Sequence, residues 1–389
     1  MEPFVSRASR CLLALFLVLG PVAQAQARYP ASPALEAQAW VLMDAGSGQV
    51  LAEHQADARV APGSLVRLLQ AWVILNALRD GRLKPDQRVQ PSPAALQAPA
   101  PRMTLEQGRD VRVSQLLEGL LVISANDAAI ALGETLTGSQ EAFLGLMNAE
   151  AQRLGLEATA VRNLHGAAAP GQTTSARDLA RLAARLMREF PDVRLQFRQK
   201  ELSWRAFRQE NPNRLLWLDP TVEGLFAADA GQVASAWREP RRMVAVVLDS
   251  PSRVVGSRDT LKLLNFGFQS FEAVRLYPAA TPVAQLGVVR GNTAQVALGF
   301  RDGLLLSLPA GQQTRLRTRL LSREPLQAPL LAGQEAGQLQ VSLGDFVLGE
   351  FPVQVLADVP QANWLRRSWD DLSQWLKSDR QPPSAPAPR

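Results

Sequence analysis

The chain has 389 residues, enough for two domains with separate cores, and its 47% hydrophobic and 20% charged content excludes a disordered chain and a multi-span membrane protein. The formal charge of +6 is scattered along the chain, with no basic stripe of interleaved aromatics, so nucleic acid is not an expected partner. Cys11 is the single cysteine, and His54 and His165 are the only histidines, which excludes a disulfide framework and leads us to expect neither a metal nor another cofactor.

Arg7 and Arg10 precede an apolar run from Cys11 to Leu19, and Ala23-Gln24-Ala25-Gln26-Ala27 offers small-residue cleavage sites. Residues 1–27 therefore read as a signal peptide, too short to span a bilayer comfortably. The rest of the chain, at +5 and without cysteine, is expected to act after export. Trp40 to Leu51 reads as a hairpin around Asp44-Ala45-Gly46-Ser47-Gly48. Pro62-Gly63-Ser64 opens an apolar helix through Ala77, and helical periods dominate from Val113 to about Met187. A strand follows at Met243 to Leu248.

From Val274 the pattern changes to short alternating runs between Gly, Asp and Pro turns, as in Gln295–Leu298, Leu304–Leu308, Leu339–Leu343, Phe346–Leu348 and Val353–Leu356. That is the signature of a small sandwich or barrel. Leu365, Trp369, Leu372 and Leu376 then recur at spacings of four, three and four, with Trp364 and Trp375 in the same segment. This is expected to be an interfacial helix that lies on a membrane surface, followed by a Pro/Ser/Ala tail expected to be disordered.

Ser64 stands one helical turn before Arg67, and Ser124-Ala125-Asn126-Asp127 follows sixty residues later. Pro62-Gly63-Ser64-Leu65-Val66-Arg67 resembles the Pro-Ala-Ser-Leu-Thr-Lys of the serine D-alanyl-D-alanine carboxypeptidases, and Ser124-Ala125-Asn126-Asp127 resembles their Ser-Gly-Asn-Asp. Asn163-Leu164-His165-Gly166, the run from Gly171 to Asp178, and Gln209 to Trp217 are similar to further segments of that family. Ala328-Pro329, Gly333-Gln334 and Gly337 resemble its C-terminal domain, so the likeness covers nearly the whole mature chain.

The resemblance implies acyl transfer. A serine attacks the D-Ala-D-Ala amide, a neutral lysine one turn on serves as its base, and a Lys-Thr-Gly strand holds the terminal carboxylate. Two of these three parts are altered. Arg67 stands for the base lysine, and a guanidinium is effectively never a base. Phe226, Ala227 and Ala228 stand for Lys-Thr-Gly, which removes a cation and a hydroxyl and adds a methyl to the cleft. Arg67 is expected to pair with a nearby acid or with Ser124, Phe226 to fill core or cleft, and His165 to be a structural loop residue. None of Lys84, Lys200, Lys262 and Lys377 stands where it replaces the missing amine.

The implied fold class is α+β, the penicillin-binding protein/β-lactamase-like transpeptidase fold, with a five-stranded antiparallel sheet, helix clusters and a small all-β domain behind. The expected domains are a carboxypeptidase-like unit at 28–272, the β domain at 273–359, an anchor helix at 360–378 and a tail at 379–389. The candidate catalytic residues are Ser64, Arg67, Ser124 and Asn126; the candidate substrate-binding residues are Phe226, Ala227 and Ala228. The expected role is a catalytically impaired or inactive homologue on the periplasmic or outer face of the cytoplasmic membrane. Its expected partners are a peptidoglycan stem peptide, wall enzymes and the membrane surface. A weakly active carboxypeptidase working through Ser64 is the alternative.

Overall fold

The computed structural model describes residues 29–322 and 324–362. The expected signal peptide, the tail and nearly all of the expected anchor helix lie outside those residues. Among the described residues, no helix is long and apolar enough to cross a membrane.

Strand β1 (Ala39–Asp44) is buried along its whole length. Its neighbours are β2 (Val50–His54) and, on the other side, the strand Arg241–Leu248. Alternate side chains of β1 enter different cores: Ala39, Val41 and Met43 join one, and Trp40 and Leu42 the other. This period of two explains why a sheet covered on both faces reads as an unbroken apolar run. With β3 (Val222–Gly224), β4 (Gly231–Arg238) and β5 (Arg241–Leu248), the sheet has the order β2-β1-β5-β4-β3 and is antiparallel throughout.

Helices α1 (Arg67–Arg79), α2 (Val113–Ile123), α3 (Asn126–Thr137), α4 (Gln140–Arg153) and α5 (Ala176–Glu189) supply the larger core on one face. Helix α6 (Arg253–Ser270) covers the other face through Leu263 and Leu264. Serine caps fix three of these helices: Ser139 Oγ accepts from Ala142 N at 3.1 Å, Ser175 Oγ from Asp178 N at 3.1 Å, and Ser252 Oγ from Val255 N at 3.2 Å. The helix expected from Pro62 starts as a 3-10 turn over Gly63–Val66 before α1, and it runs two residues past Ala77.

Beyond α6 the chain forms a six-stranded and a two-stranded sheet around Leu298, Leu306, Val341 and Val353. The expected runs at Phe346 and Val353 are the two ends of one strand, Phe346–Val355. A polar joint ties this unit to the sheet domain. Ser307 Oγ donates to Asp44 Oδ2 at 2.5 Å, and the Ser307 N–H donates to Gln49 Oε1 at 3.2 Å. The architecture is the expected one, α+β with a five-stranded antiparallel sheet between helices and an all-β domain behind it.

Candidate active site

A cleft of about 680 Å³ opens where α1, the start of α3, the loop at 163–168 and the turn after β3 converge. Ser64, Arg67, Ser124, Asn126, Ala227 and Ala228 all line it, so six of the seven candidate residues meet in one place. The local chain explains the convergence. Gly63, at φ 53°, turns the backbone into the 3-10 turn that presents Ser64. Gly166, at φ 79°, lies so close that a Cβ there would overlap the Gly63 carbonyl, which seats the His165 loop against the serine. Ser124 ends α2 in the left-handed conformation, at φ 56°. Asp127 then clamps the opposite loop, accepting from Met103 N at 2.9 Å and Leu105 N at 3.2 Å.

Arg67 is 1% exposed, and its guanidinium is spent. Nε donates to the Ser124 carbonyl at 3.3 Å and Nη1 to Gln70 Oε1 at 2.7 Å. Nη1 also donates to the Leu164 carbonyl and Nη2 to Asn126 Oδ1. Of the two expected partners, an acid or Ser124, the structure gives Ser124, through its main chain. Among the described residues, no carboxylate pairs with Arg67. Burial without a counter-charge pulls the guanidinium down to about 9, which still leaves it a cation at neutral pH. It therefore has no lone pair to offer Ser64. The Ser64 hydroxyl instead donates to the Ala227 carbonyl at 3.3 Å.

Asn126 is equally committed: its Nδ2 donates to the carbonyls of Pro99 at 2.9 Å and Ala100 at 3.1 Å. Three loops are thus tied together through one Arg–Asn contact. Phe226 is the seventh candidate, and the structure places it outside the cleft lining. It is 1% exposed and packs edge to face on Phe197, with centroids 5.3 Å apart. The physical reason is ordinary: burying an aromatic ring stabilises the fold more than leaving it against water in an open cleft. The cleft is therefore open, and its floor at this point is Ala227 and Ala228. The Ala228 N–H is taken by the Gly231 carbonyl at 2.8 Å, closing a tight turn between β3 and β4.

His165 also lines the cleft. Burial, and then the charge of Arg67, holds its imidazole below the ordinary 6.5. Several groups at the cleft or buried behind its wall escape the sequence reading. Gln70 sits one turn after Arg67, and helical spacing alone points to it. Glu210, Asp229 and the neighbouring Asp249 and Arg253 come from three separate segments, so only the tertiary structure brings them together. Among the described residues, no group of three or more His, Cys, Asp or Glu is placed to hold a metal ion.

Residues 25–252 match the model of the D-alanyl-D-alanine carboxypeptidase family, and residues 271–361 match that of the penicillin-binding protein 5 C-terminal domain. The chain is 36% identical to D-alanyl-D-alanine carboxypeptidase DacC of Escherichia coli, over 94% of this chain and 96% of that protein. It is 32% identical to DacA of the same organism, over 88% of each chain. Among solved structures, penicillin-binding protein 5 from Haemophilus influenzae superposes with a TM-score of 0.75 at 30% identity, covering 85% of this chain and all of that one. On its sequence and its fold alike, the chain belongs to the D-alanyl-D-alanine carboxypeptidase family.

Proposed function

We propose that this chain is an envelope member of its family that binds peptidoglycan stem peptide, or wall enzymes that carry it, without trimming the peptide. The observation that carries the reading is the state of Arg67. The group in the base position is a buried cation with four hydrogen bonds already made, so Ser64 finds no base there and its hydroxyl donates to the Ala227 carbonyl, which cannot take up the proton. General-base help is worth ~100- to 10,000-fold, and its loss alone removes most of the rate. The apolar segment at residues 11–19 supports export, which puts the protein on the periplasmic or outer face of the cytoplasmic membrane. The Trp-rich segment from Trp364 to Trp375 supports contact with the membrane surface.

The test is intact-protein mass spectrometry after incubation with benzylpenicillin, for the wild type and Ser64→Ala, beside an assay for D-alanine released from a D-Ala-D-Ala peptide. The expected result is no adduct and no release. A weakly active enzyme is the second reading, favoured by the position of Ser64 on the wall of an open cleft. A Ser64-dependent adduct with slow release would establish that reading and overturn the first.

A further inference from the structure

We infer that the cleft selects a peptide segment presenting an amine or an amide where a substrate of the family ends in a free carboxylate. This rests on the reading of the cleft as a stem-peptide site. It follows from which charges face the cleft. The charged side chains of its lining are Arg67, Glu210, Asp229, Asp249 and Arg253. Arg67 is buried and its donors are committed to four neutral oxygens. Arg253 donates to Asp229 Oδ1 at 2.5 Å. Glu210 and Asp249 remain, and neither has an ion pair among the described residues.

The usual anion-holding devices are absent from the cleft floor. Ala227 and Ala228 supply neither hydroxyl nor ammonium, and the Ala228 amide is bonded to the Gly231 carbonyl at 2.8 Å. A carboxylate entering here meets two unpaired acids, and the charge of Arg253, the other guanidinium of the lining, is already partly balanced by Asp229. An ammonium meets the same acids as partners, and a carboxamide avoids the repulsion. Glu210 and Asp249 are solvent-exposed, so their field acts on a bound group at short range. The Debye length of about 8 Å at physiological salt leaves that field unscreened across contact distances. A volume of about 680 Å³ suits a short peptide segment.

Fluorescence anisotropy with the full mature chain tests this. Two identically labelled peptides ending in Lys-D-Ala-D-Ala are compared, one with a free carboxylate and one with a carboxamide. The carboxamide is expected to bind at least about ten-fold more tightly at low salt. The advantage should shrink at high salt and in the Glu210→Gln, Asp249→Asn double variant. Equal or tighter binding of the carboxylate peptide overturns the inference and leaves the stem-peptide reading standing. Failure of both peptides to bind overturns the two together.

Discussion

Phe226 and Phe197 meet edge to face inside the main core, their planes at 89° and their centroids 5.3 Å apart. Both side chains are at most 1% exposed, so the position that the motif resemblance matches to a substrate-binding lysine is part of the packing. Phe226→Ala is expected to cost about 3–5 kcal/mol through the cavity it leaves. Phe226→Lys should destabilise the fold as well, since it puts an ammonium where no partner waits. Urea unfolding of the three proteins checks this. Wild-type stability in the lysine variant would show that the side chain escapes to the cleft, contrary to the packing seen.

Arg67→Lys trades structure for chemistry. The ammonium cannot reach all four oxygens that the guanidinium holds, so the melting temperature should fall. A buried lysine can, however, lose its proton near neutral pH. A Ser64-linked penicillin adduct is therefore expected in Arg67→Lys where the wild type forms none. A folded variant with no adduct would move the main defect away from residue 67.

Gly166→Ala should be poorly tolerated although the site is a loop. Its φ of 79° disfavours a side chain, and the new methyl would overlap the Gly63 carbonyl beside Ser64. The expected loss is more than about 1 kcal/mol. Thermal unfolding measures it, and an unchanged midpoint would mean that the loop lies farther from Ser64 than described.

His165 sets a pH dependence. The folded protein holds this imidazole below its ordinary 6.5, through burial and the charge of Arg67, so the unfolded chain binds the proton more readily. The resulting stability is complete above pH 6.5, falls as the pH drops below that value, and levels off below the folded-state value. Melting curves between pH 7.5 and 5 should show a steeper decline for the wild type than for His165→Gln. Parallel curves would remove this titration from the account.

The elements legible in the sequence are those in which one local pattern decides the outcome. β1 and β5 are continuous apolar runs because both faces are covered, and the run after Ser64 is apolar on every side because α1 is buried from Arg67 to Ala77. β4 escapes notice because Gly231-Gln232-Val233-Ala234-Ser235-Ala236 is built of small residues whose strand state comes from pairing with β5. The Phe346–Val355 strand reads as two because Pro352 looks like a break, yet it pairs opposite Gln338 within the ladder. At the site, the alignment of motifs brings six residues to the cleft, but it cannot say that Phe226 turns into the core. That orientation depends on Phe197, which lies 29 residues earlier and carries no motif. Around Arg67 the pairing with Ser124 is legible, but not that it runs through the Ser124 carbonyl, nor that the carbonyl of Leu164 joins it from a distant loop.

The tie formed by Arg67, Asn126 and the Ser124 and Leu164 carbonyls also bears on how such a protein drifts over generations. Arg67 braces three loops and the Phe226 ring fills the core, so replacing either side chain gives up hydrogen bonds or packing. On the binding function proposed above, a return to hydrolysis takes changes at both positions, and each step alone costs stability before any turnover appears. Under that proposal the pair acts as a ratchet, with a stability valley between the binding protein and a peptidase.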